Sequence, residues 1–536
     1  MKAFLMFRDR DFDPEQLLAR RDHAARSRGS KDQQLDLKQM LPWNEEALRN
    51  DLGLDIVLNA MALGDGYLFE TAKVAMLSGV TDIDSILYRQ RVLSDCLRNA
   101  QIVRDIYRLA TEAIEGERKG LWGFFQYPAG ILRRAVEVML MFVGILRRLR
   151  AAADQHANEF ESEGFSRLFL MLKEELSDEY FSAIEMHLRR LKFRRGVLIS
   201  AELGEGNNGR NYTLRRPHEE RGSWLTRVFA EKPPTYTFRL HPRDEAGTRA
   251  LSELNDRGLN LVANALAQST DHILSFFQML RTELAFYVGC LNLHVRLVQM
   301  REMTCFPSPT PMGGRKLAFS GLYDIALALS TEQKVIANDL NANGSNLFVI
   351  TGANTGGKST FLRSIGLAYL MLQSGMFVPA YSFLSEVCCG IFTHFRREED
   401  QTMESGKWDE ELSRMNAIVD RLKPNSLLLL NESFSSTNQR EGSGIASNIV
   451  QAFLENDVKV LFVTHLSHFA RDIFIKRAYA TTFLRAERRP DGTRPFKLIE
   501  GEPLQTSYGE DLYKAIFVVG ADEGETSMTK GDGAAV

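Results

Sequence analysis

The chain has 536 residues, of which 44% are hydrophobic and 25% are charged, and this composition is typical of soluble globular proteins. The chain is longer than a single hydrophobic core can organise, so three or four domains are expected. The formal net charge of −3 excludes a nucleic-acid surface that depends on a global positive excess, so any such surface must be a local basic patch.

The five cysteines have no CxxC spacing, and their number is odd. This pattern favours reduced thiols in a cytoplasm over a disulfide framework or a zinc site. The first residues, MKAFLMFRDRDFD, contain too short an apolar run for a signal peptide. A cytoplasmic protein is therefore expected.

The first half of the chain has the periodicity of helices. Residues 1–45 predict a peripheral segment, and residues 46–310 predict a mostly α-helical region. Apolar residues recur at spacings of three and four between Asp82 and Ile114. The apolar run from Ala135 to Leu146 is shorter than the roughly 18 residues that a membrane span requires, so a buried helix is favoured there.

One stretch inside this region alternates as β-strands do. Gly196 to Pro217 surrounds the turn-forming residues 206–209 and predicts a hairpin. Thr235 to Pro242 predicts a further strand, so a β insertion is expected around residues 196–242.

Basic residues concentrate around the start of this insertion. Those considered for phosphate contact are Arg189, Arg190, Lys192, Arg194, Arg195, Arg210, Arg215 and Arg216. Such side chains give sequence-independent affinity for nucleic acid, although a charge run is also typical of a solvated face.

A Pro- and Gly-rich segment, Cys305 to Lys316, predicts a domain boundary. Beyond it, short apolar strands alternate with helices over residues 317–519, as expected for an α/β domain. Residues 520–536 have too few apolar side chains to fold and predict a disordered tail.

The strongest motif is a phosphate-binding loop between a strand and a helix. Gly352 to Ser359 matches the pattern G-x-x-x-x-G-K-[ST] completely. Glycines allow backbone N–H groups to approach phosphate oxygens, Lys358 can reach the β- and γ-phosphates, and Ser359 can ligate Mg²⁺. The residues predicted to bind ATP are Gly352, Ala353, Asn354, Thr355, Gly356, Gly357, Lys358, Ser359 and Thr360.

Two later strands end in polar residues. The first is LLLLNE, in which Asn431 and Glu432 stand where an ATPase usually has Asp-Glu, and the second ends in Thr464 and His465. The order of these elements along the chain is that of ABC-type ATPases: a phosphate loop, a polar insert, a strand that ends in an acid and a strand that ends in a histidine. In that plan the acid positions water, the His senses the γ-phosphate, and a partner subunit closes the site.

These motifs resemble those of the MutS DNA mismatch-repair ATPases over residues 322–519. ITGANTGGKST is similar to the family's phosphate loop, IFTHF to the following strand, VIANDL to the segment that borders the adenine, and TSYGEDLYKAIF to its closing segment. The upstream helices resemble the family's core, lever arms and DNA clamp. The resemblance implies a dimeric, P-loop ATPase of ABC-like type that uses ATP and Mg²⁺ and contacts double-stranded or branched DNA.

The chain also departs from the family pattern. Val335 aligns with the aromatic residue that stacks on adenine, and Gly406 and Lys407 align with the signature Ser-Thr that acts on a partner's nucleotide, with Ser405 one residue early. Because the helical core begins near residue 46, the resemblance implies a protein without the mismatch-reading domain.

Asn431 aligns with the metal-site Asp of the family. Its amide oxygen can still contact a metal-bound water but supplies no charge. A full negative charge about 4–5 Å from the metal would be worth on the order of several kcal/mol. Glu432, His465 and Lys358 remain as catalytic candidates, and Ser359 and Asn431 as metal-site candidates. A slow ATPase is expected; nucleotide binding without hydrolysis is the alternative.

The leading hypothesis is a MutS-like homodimer or heterodimer that clamps DNA in repair or recombination under control of ATP. A second is an ATP-gated protein-interaction scaffold that does not touch DNA directly. A transporter ATPase subunit is disfavoured by the long helical half, and no membrane partner is expected.

Overall fold

The computed structural model describes residues 1–10, 12, 41–119, 127–193, 196–216, 236–237, 239–241, 243–353, 356–397, 406–476, 479–489 and 493–503. The chain forms two compact units, neither of which is one continuous segment. One comprises Met1–Phe4 and Gln101–Leu284, and the other comprises Leu5–Ala100 and Ala285–Val536.

The α-helices of the described residues are α1 (Glu45–Leu52), α2 (Leu54–Ala62), α3 (Gly66–Leu77), α4 (Ile83–Arg98), α5 (Ala100–Lys119), α6 (Pro128–His156), α7 (Glu163–Glu175), α8 (Asp178–Leu191), α9 (Glu245–Gln299), α10 (Ile325–Thr331), α11 (Lys358–Ser374), α12 (Lys407–Val419), α13 (Gln439–Glu455) and α14 (Ser467–Lys476). The strands are β1 (Ile199–Leu203), β2 (Gly209–Leu214), β3 (Ser308–Thr310), β4 (Leu317–Leu322), β5 (Asn338–Asn341), β6 (Leu347–Thr351), β7 (Ser382–Glu386), β8 (Ile391–Phe395), β9 (Leu427–Asn431), β10 (Lys459–Val463), β11 (Thr481–Ala486) and β12 (Leu498–Glu500).

Helix α6 contains the apolar run for which a buried helix was favoured. It buries Phe142 and Leu146 completely, and the Phe142 ring packs against Phe277 of α9 with ring centroids 5.5 Å apart. Among the helices that the structure describes, none combines the length and apolar character needed to cross a membrane. The favoured reading of this run as a buried helix is confirmed.

Strands β1 and β2 form the predicted antiparallel hairpin, with Ile199 opposite Leu214. The predicted strand from Thr235 to Pro242 is wrong for the residues described there, which have no strand conformation. Tyr236 is 93% exposed, so the burial that stabilises an alternating strand is missing at this position.

The second unit contains a six-stranded sheet in the order β12-β11-β6-β10-β9-β8. Its strands are parallel except for β12, which pairs antiparallel with β11. Leu427 to Leu430 of β9 are completely buried, as expected of a central parallel strand covered on both faces. A smaller sheet in the order β3-β7-β4-β5 accompanies it.

Most of the predicted peripheral segment, residues 1–45, lies outside the described residues, but residues 5–7 at its start are not peripheral. Leu5 and Met6 are completely buried, and the Met6 carbonyl oxygen accepts a hydrogen bond from Arg89 Nε at 2.9 Å. Arg89 is itself fully buried and lies over the Phe7 ring. A buried guanidinium needs such partners, so Leu5, Met6 and Phe7 belong to the core of the second unit.

Cys96, Cys290, Cys305, Cys388 and Cys389 are free thiols, as the sequence predicts. No group of three or more His, Cys, Asp or Glu side chains that could hold a metal occurs within the described ranges.

Candidate nucleotide site and nucleic-acid surface

The phosphate loop follows β6 and leads into α11. Gly352 has φ +116°, and a Cβ atom there would lie 2.9 Å from the Ala486 backbone nitrogen. Gly357, the N-cap of α11, has φ +85°. Both conformations favour glycine, which explains why these two positions of the motif cannot accept other residues without strain.

The Lys358 side chain is buried beneath the loop. Its ammonium Nζ donates to the carbonyl oxygens of Gly352 at 2.9 Å and Ala353 at 2.8 Å. Burial lowers the pKa of Lys358 from 10.5 to about 8, and the Glu432 carboxylate opposes that change. The ammonium is therefore held at the loop, where it can meet phosphate.

Ser359 and Asn431 are brought together although 72 residues separate them. The Ser359 hydroxyl donates a hydrogen bond to Asn431 Oδ1 at 3.0 Å. This bond joins the first turn of α11 to the end of β9. A hydroxyl and an amide oxygen are hard donors of the kind that Mg²⁺ accepts beside phosphate oxygens and water. The pair therefore fits Mg²⁺ in donor type, but it adds no negative charge.

Glu432 lies just beyond β9 in the left-handed region, with φ +55°. Its Oε1 atom is 3.2 Å from His465 Nε2, and its Oε2 atom is 3.5 Å from Arg396. The His465 hydrogen bond, with the charges of Lys358 and Arg396, lowers the pKa of Glu432 against the effect of burial. The carboxylate is thus kept ionised, as a water-positioning group requires.

A buried network supports the turn after Glu432. His394 Nδ1 lies 2.7 Å from Ser433 Oγ, and the Phe434 backbone N–H donates to Glu411 Oε1 of α12. Phe434 also has a left-handed backbone, with φ +64°. Because left-handed non-glycine residues cost free energy, these contacts hold the turn in place.

A cavity of about 430 Å³ opens beside the loop and is lined by Val335, Gly357, Thr360 and Phe496, among others. Val335 was assigned to the adenine from the family resemblance. Phe496, which is 50% exposed, was missed, because it lies far along the chain in an irregular segment before β12. An exposed aromatic ring beside a cavity is the one signal that points to it.

Of the remaining residues predicted for the nucleotide site, the structure describes some and not others. Gly406 is the N-cap of α12 and Lys407 its first residue. Asn354, Thr355, Ser405 and the segment Thr506 to Phe517 lie outside the described residues.

Those candidate nucleic-acid residues that the structure describes lie in the first unit. Arg189 is 3.8 Å from Glu185, Arg215 donates to Ser200 Oγ at 2.8 Å, and Arg210 is opposite Glu202 in the hairpin. Arg190, Lys192 and Arg216 are near these elements in the chain, and Arg194 and Arg195 lie outside the described residues. Carboxylates offset part of the positive charge here, so the surface is less basic than the sequence suggests.

Two family models match the chain. One described as the MutS2 N-terminal domain matches residues 81–300, and one described as MutS domain V matches residues 348–518. The second range contains the phosphate loop, Asn431, Glu432 and His465.

Individual relatives carry the same family name. MutS protein homolog 4 from Mus musculus is 33% identical over 145 residues, covering 27% of this chain and 15% of that protein. DNA mismatch repair protein MutS from Thermotoga petrophila is 32% identical over 184 residues, covering 34% of this chain and 23% of that protein. Endonuclease MutS2 from Lactobacillus helveticus is 26% identical over 262 residues, covering 47% of this chain and 32% of that protein.

The matched region thus spans less than a third of the length of each of these relatives. Two models of one family nevertheless match successive parts of the chain, on either side of residues 301–347. The chain belongs to the MutS family.

Proposed function

We propose that this protein binds ATP at the Gly352–Ser359 loop and hydrolyses it slowly. The observation that carries the proposal is the convergence of Lys358, the Ser359–Asn431 pair and the Glu432–His465 pair at the carboxyl ends of β6, β9 and β10. Ligands of open α/β sheets bind at this edge. The strand order, with the His-ended strand between the loop strand and the acid-ended strand, supports an ABC-like ATPase domain over residues 317–519.

Each residue has a separate part in the proposed reaction. Lys358 holds the β- and γ-phosphates, and Phe496 and Val335 border the base. Glu432 orients the attacking water and accepts its proton, while His465 keeps the carboxylate ionised and in place. Ser359 and Asn431 would hold Mg²⁺, which when bound neutralises charge on the phosphates.

We further propose that the first unit contacts DNA in repair or recombination and that a dimer is the active form. The basic residues of α8 and the hairpin would contact the phosphate backbone, and Gly406 and Lys407 at the start of α12 would face a partner's nucleotide. The names of the relatives, which include DNA mismatch repair protein MutS, support this part of the proposal.

The nucleotide part is tested with two variants. Lys358→Ala is expected to abolish ATP binding, because it removes the cation that meets the phosphates. Glu432→Gln is expected to keep ATP bound while stopping turnover, since the amide cannot accept a proton. Lys476→Ala, at an exposed ion pair with Asp472, is the control. Tight ATP binding by Lys358→Ala, measured by calorimetry, would show that the loop is not the site.

The DNA part is tested by gel shift on homoduplex, mismatched, branched and single-stranded DNA, with and without ATP. Binding that depends on DNA structure and changes with ATP is expected. Failure to bind any of these at low salt, in a preparation that binds ATP, would instead favour the ATP-gated scaffold.

A further inference from the structure

Arg396 is the first residue after β8 and lies beside the end of β9. Phe395 is in register with Asn431, and the Arg396 backbone N–H donates to the Asn431 carbonyl oxygen at 2.9 Å. This bond continues the parallel ladder by one residue and fixes where the Arg396 side chain begins. Its guanidinium Nη1 atom lies 3.5 Å from Glu432 Oε2, so it reaches the candidate catalytic carboxylate.

The neighbouring Arg397 provides a natural comparison. Its guanidinium lies 3.9 Å from Glu410 of α12 rather than beside Glu432. Successive residues of an extended chain direct their side chains to opposite sides, which accounts for the difference. The two arginines are almost equally exposed, at 45% and 46%, but they differ in the carboxylate that they contact.

The charges at these strand ends do not match a site that depends strongly on a divalent cation. Asn431 supplies an amide oxygen to Ser359 where an aspartate would supply a carboxylate. Arg396 adds a positive charge next to Glu432, and Lys358 supplies another from the loop. These three charged groups, two cationic and one anionic, sum to a positive charge, which attracts polyphosphate without help from a metal.

The Arg396 side chain is also free enough to change partners. A half-exposed ion pair contributes little to stability, so the guanidinium can leave Glu432 at small cost. Phosphate oxygens accept paired hydrogen bonds from a guanidinium, and such charge-assisted bonds are stronger. This exchange would release Glu432 from one of its two contacts when nucleotide binds.

We propose that Arg396 is a phosphate-binding residue that replaces part of the charge of Mg²⁺, so that ATP binding depends only weakly on divalent cation. The inference rests on the proposed ATP site and adds a residue that the family motifs do not include. Since Arg396 and Glu432 begin in contact, the same movement couples phosphate binding to the release of Glu432.

The test is equilibrium binding of a fluorescent ATP analogue to the full chain, in excess Mg²⁺ and in EDTA. The measured quantity is the ratio of Kd in EDTA to Kd in Mg²⁺. Wild-type protein is expected to give a ratio below about tenfold, and Arg396→Ala to raise it by roughly tenfold or more, as expected when a charge-assisted hydrogen bond is lost. Arg396→Lys should recover part of the difference because it restores the charge.

Arg397→Ala is the matched control and should give the wild-type ratio. An unchanged ratio in Arg396→Ala, in a protein that binds ATP in Mg²⁺, would overturn the role of Arg396 and leave the ATP site intact. Failure of the wild-type protein to bind the analogue under either condition would overturn the proposed ATP site itself, and this inference with it.

Discussion

Asn431 accepts a hydrogen bond from Ser359 Oγ at 3.0 Å, and one oxygen of an aspartate at this position could accept the same bond. Asn431→Asp therefore adds a negative charge at nearly constant size. We expect Mg²⁺ to saturate ATP hydrolysis at a lower concentration and the maximal rate to rise, since a better-held metal neutralises charge on the transferring phosphoryl group. A Mg²⁺ titration of steady-state hydrolysis in both proteins measures this.

The competing account of Asn431 is a rearranged site in which the metal has other ligands. A new carboxylate would then stand beside Glu432 without a metal ion between them and would lower activity. A slower Asn431→Asp enzyme with unimproved Mg²⁺ dependence would therefore contradict the weakened-site account.

Three aromatic side chains line the cavity beside the loop, and Phe496 is far more exposed than the other two, Tyr323 and Phe361, so it is the one most accessible to a base. Stacking of a base on an aromatic ring is worth about 1–3 kcal/mol, so Phe496→Ala should weaken ATP binding by roughly tenfold or more. Tripolyphosphate has no base, and its affinity should not change. Calorimetry with both ligands separates the two effects, and Phe306→Ala, at a partly exposed ring outside this cavity, is the control. Equal losses for both ligands would mean that Phe496 supports the loop rather than the base.

At the scale of elements, His394 joins β8 to the turn after β9 and to α12. It is completely buried, with Nδ1 at Ser433 Oγ and Nε2 3.1 Å from the Glu411 carbonyl oxygen. Burial, reinforced by the charge of Arg414, lowers the pKa of His394 from 6.5 to about 4. The side chain is therefore neutral in the folded protein at neutral pH.

The sign of the resulting pH dependence follows from proton uptake. Between about pH 6.5 and pH 4 the unfolded chain binds a proton at this residue that the folded chain does not. The contribution of neutral His394 to the free energy of unfolding is therefore fully present above pH 6.5 and is lost as the pH falls towards 4. The loss is on the order of 3 kcal/mol at its limit. We expect His394→Asn to be less stable at pH 7 and to lose less stability between pH 7 and pH 5 than wild type does.

Thermal midpoints at the two pH values measure this difference. His468→Asn, at an exposed position of α14, is the control and should follow the wild-type protein. A wild-type pH response in His394→Asn would show that His394 is not the group responsible.

At the scale of the whole molecule, DNA binding is expected to depend on phosphate contacts from the first unit. Affinity should fall steeply with salt, and neutralising Arg194 and Arg195 together should make the log–log slope shallower by about 2, because two fewer counterions are released. Binding isotherms at several salt concentrations give the slope.

The matched control for this slope is the double variant of Arg108 and Arg133, which are exposed in the same unit beside Asp105 and Glu137. Its slope should equal that of the wild type. If the variant that lacks the charges of both Arg194 and Arg195 gives the wild-type slope, DNA binds to a different surface of the protein.

The sequence by itself determined the features that depend on local rules. The buried leucines of β9, the buried helix α6, the β1–β2 hairpin and the glycine-containing connection from β6 to α11 were predicted, because backbone periodicity and glycine conformation act over a few residues. The described residues between Thr235 and Pro242 form no strand, because alternation alone does not supply the burial that a strand needs.

Tertiary structure alone decided which distant side chains meet. The Arg396–Glu432 contact depends on the parallel pairing of β8 with β9, and the place of Phe496 beside the loop depends on where the segment before β12 lies. Neither follows from spacing along the chain, because sheet order is set by long-range packing and not by local conformational preference. The same packing buries Leu5 and Met6, which in the sequence stand at the edge of a charged and irregular segment.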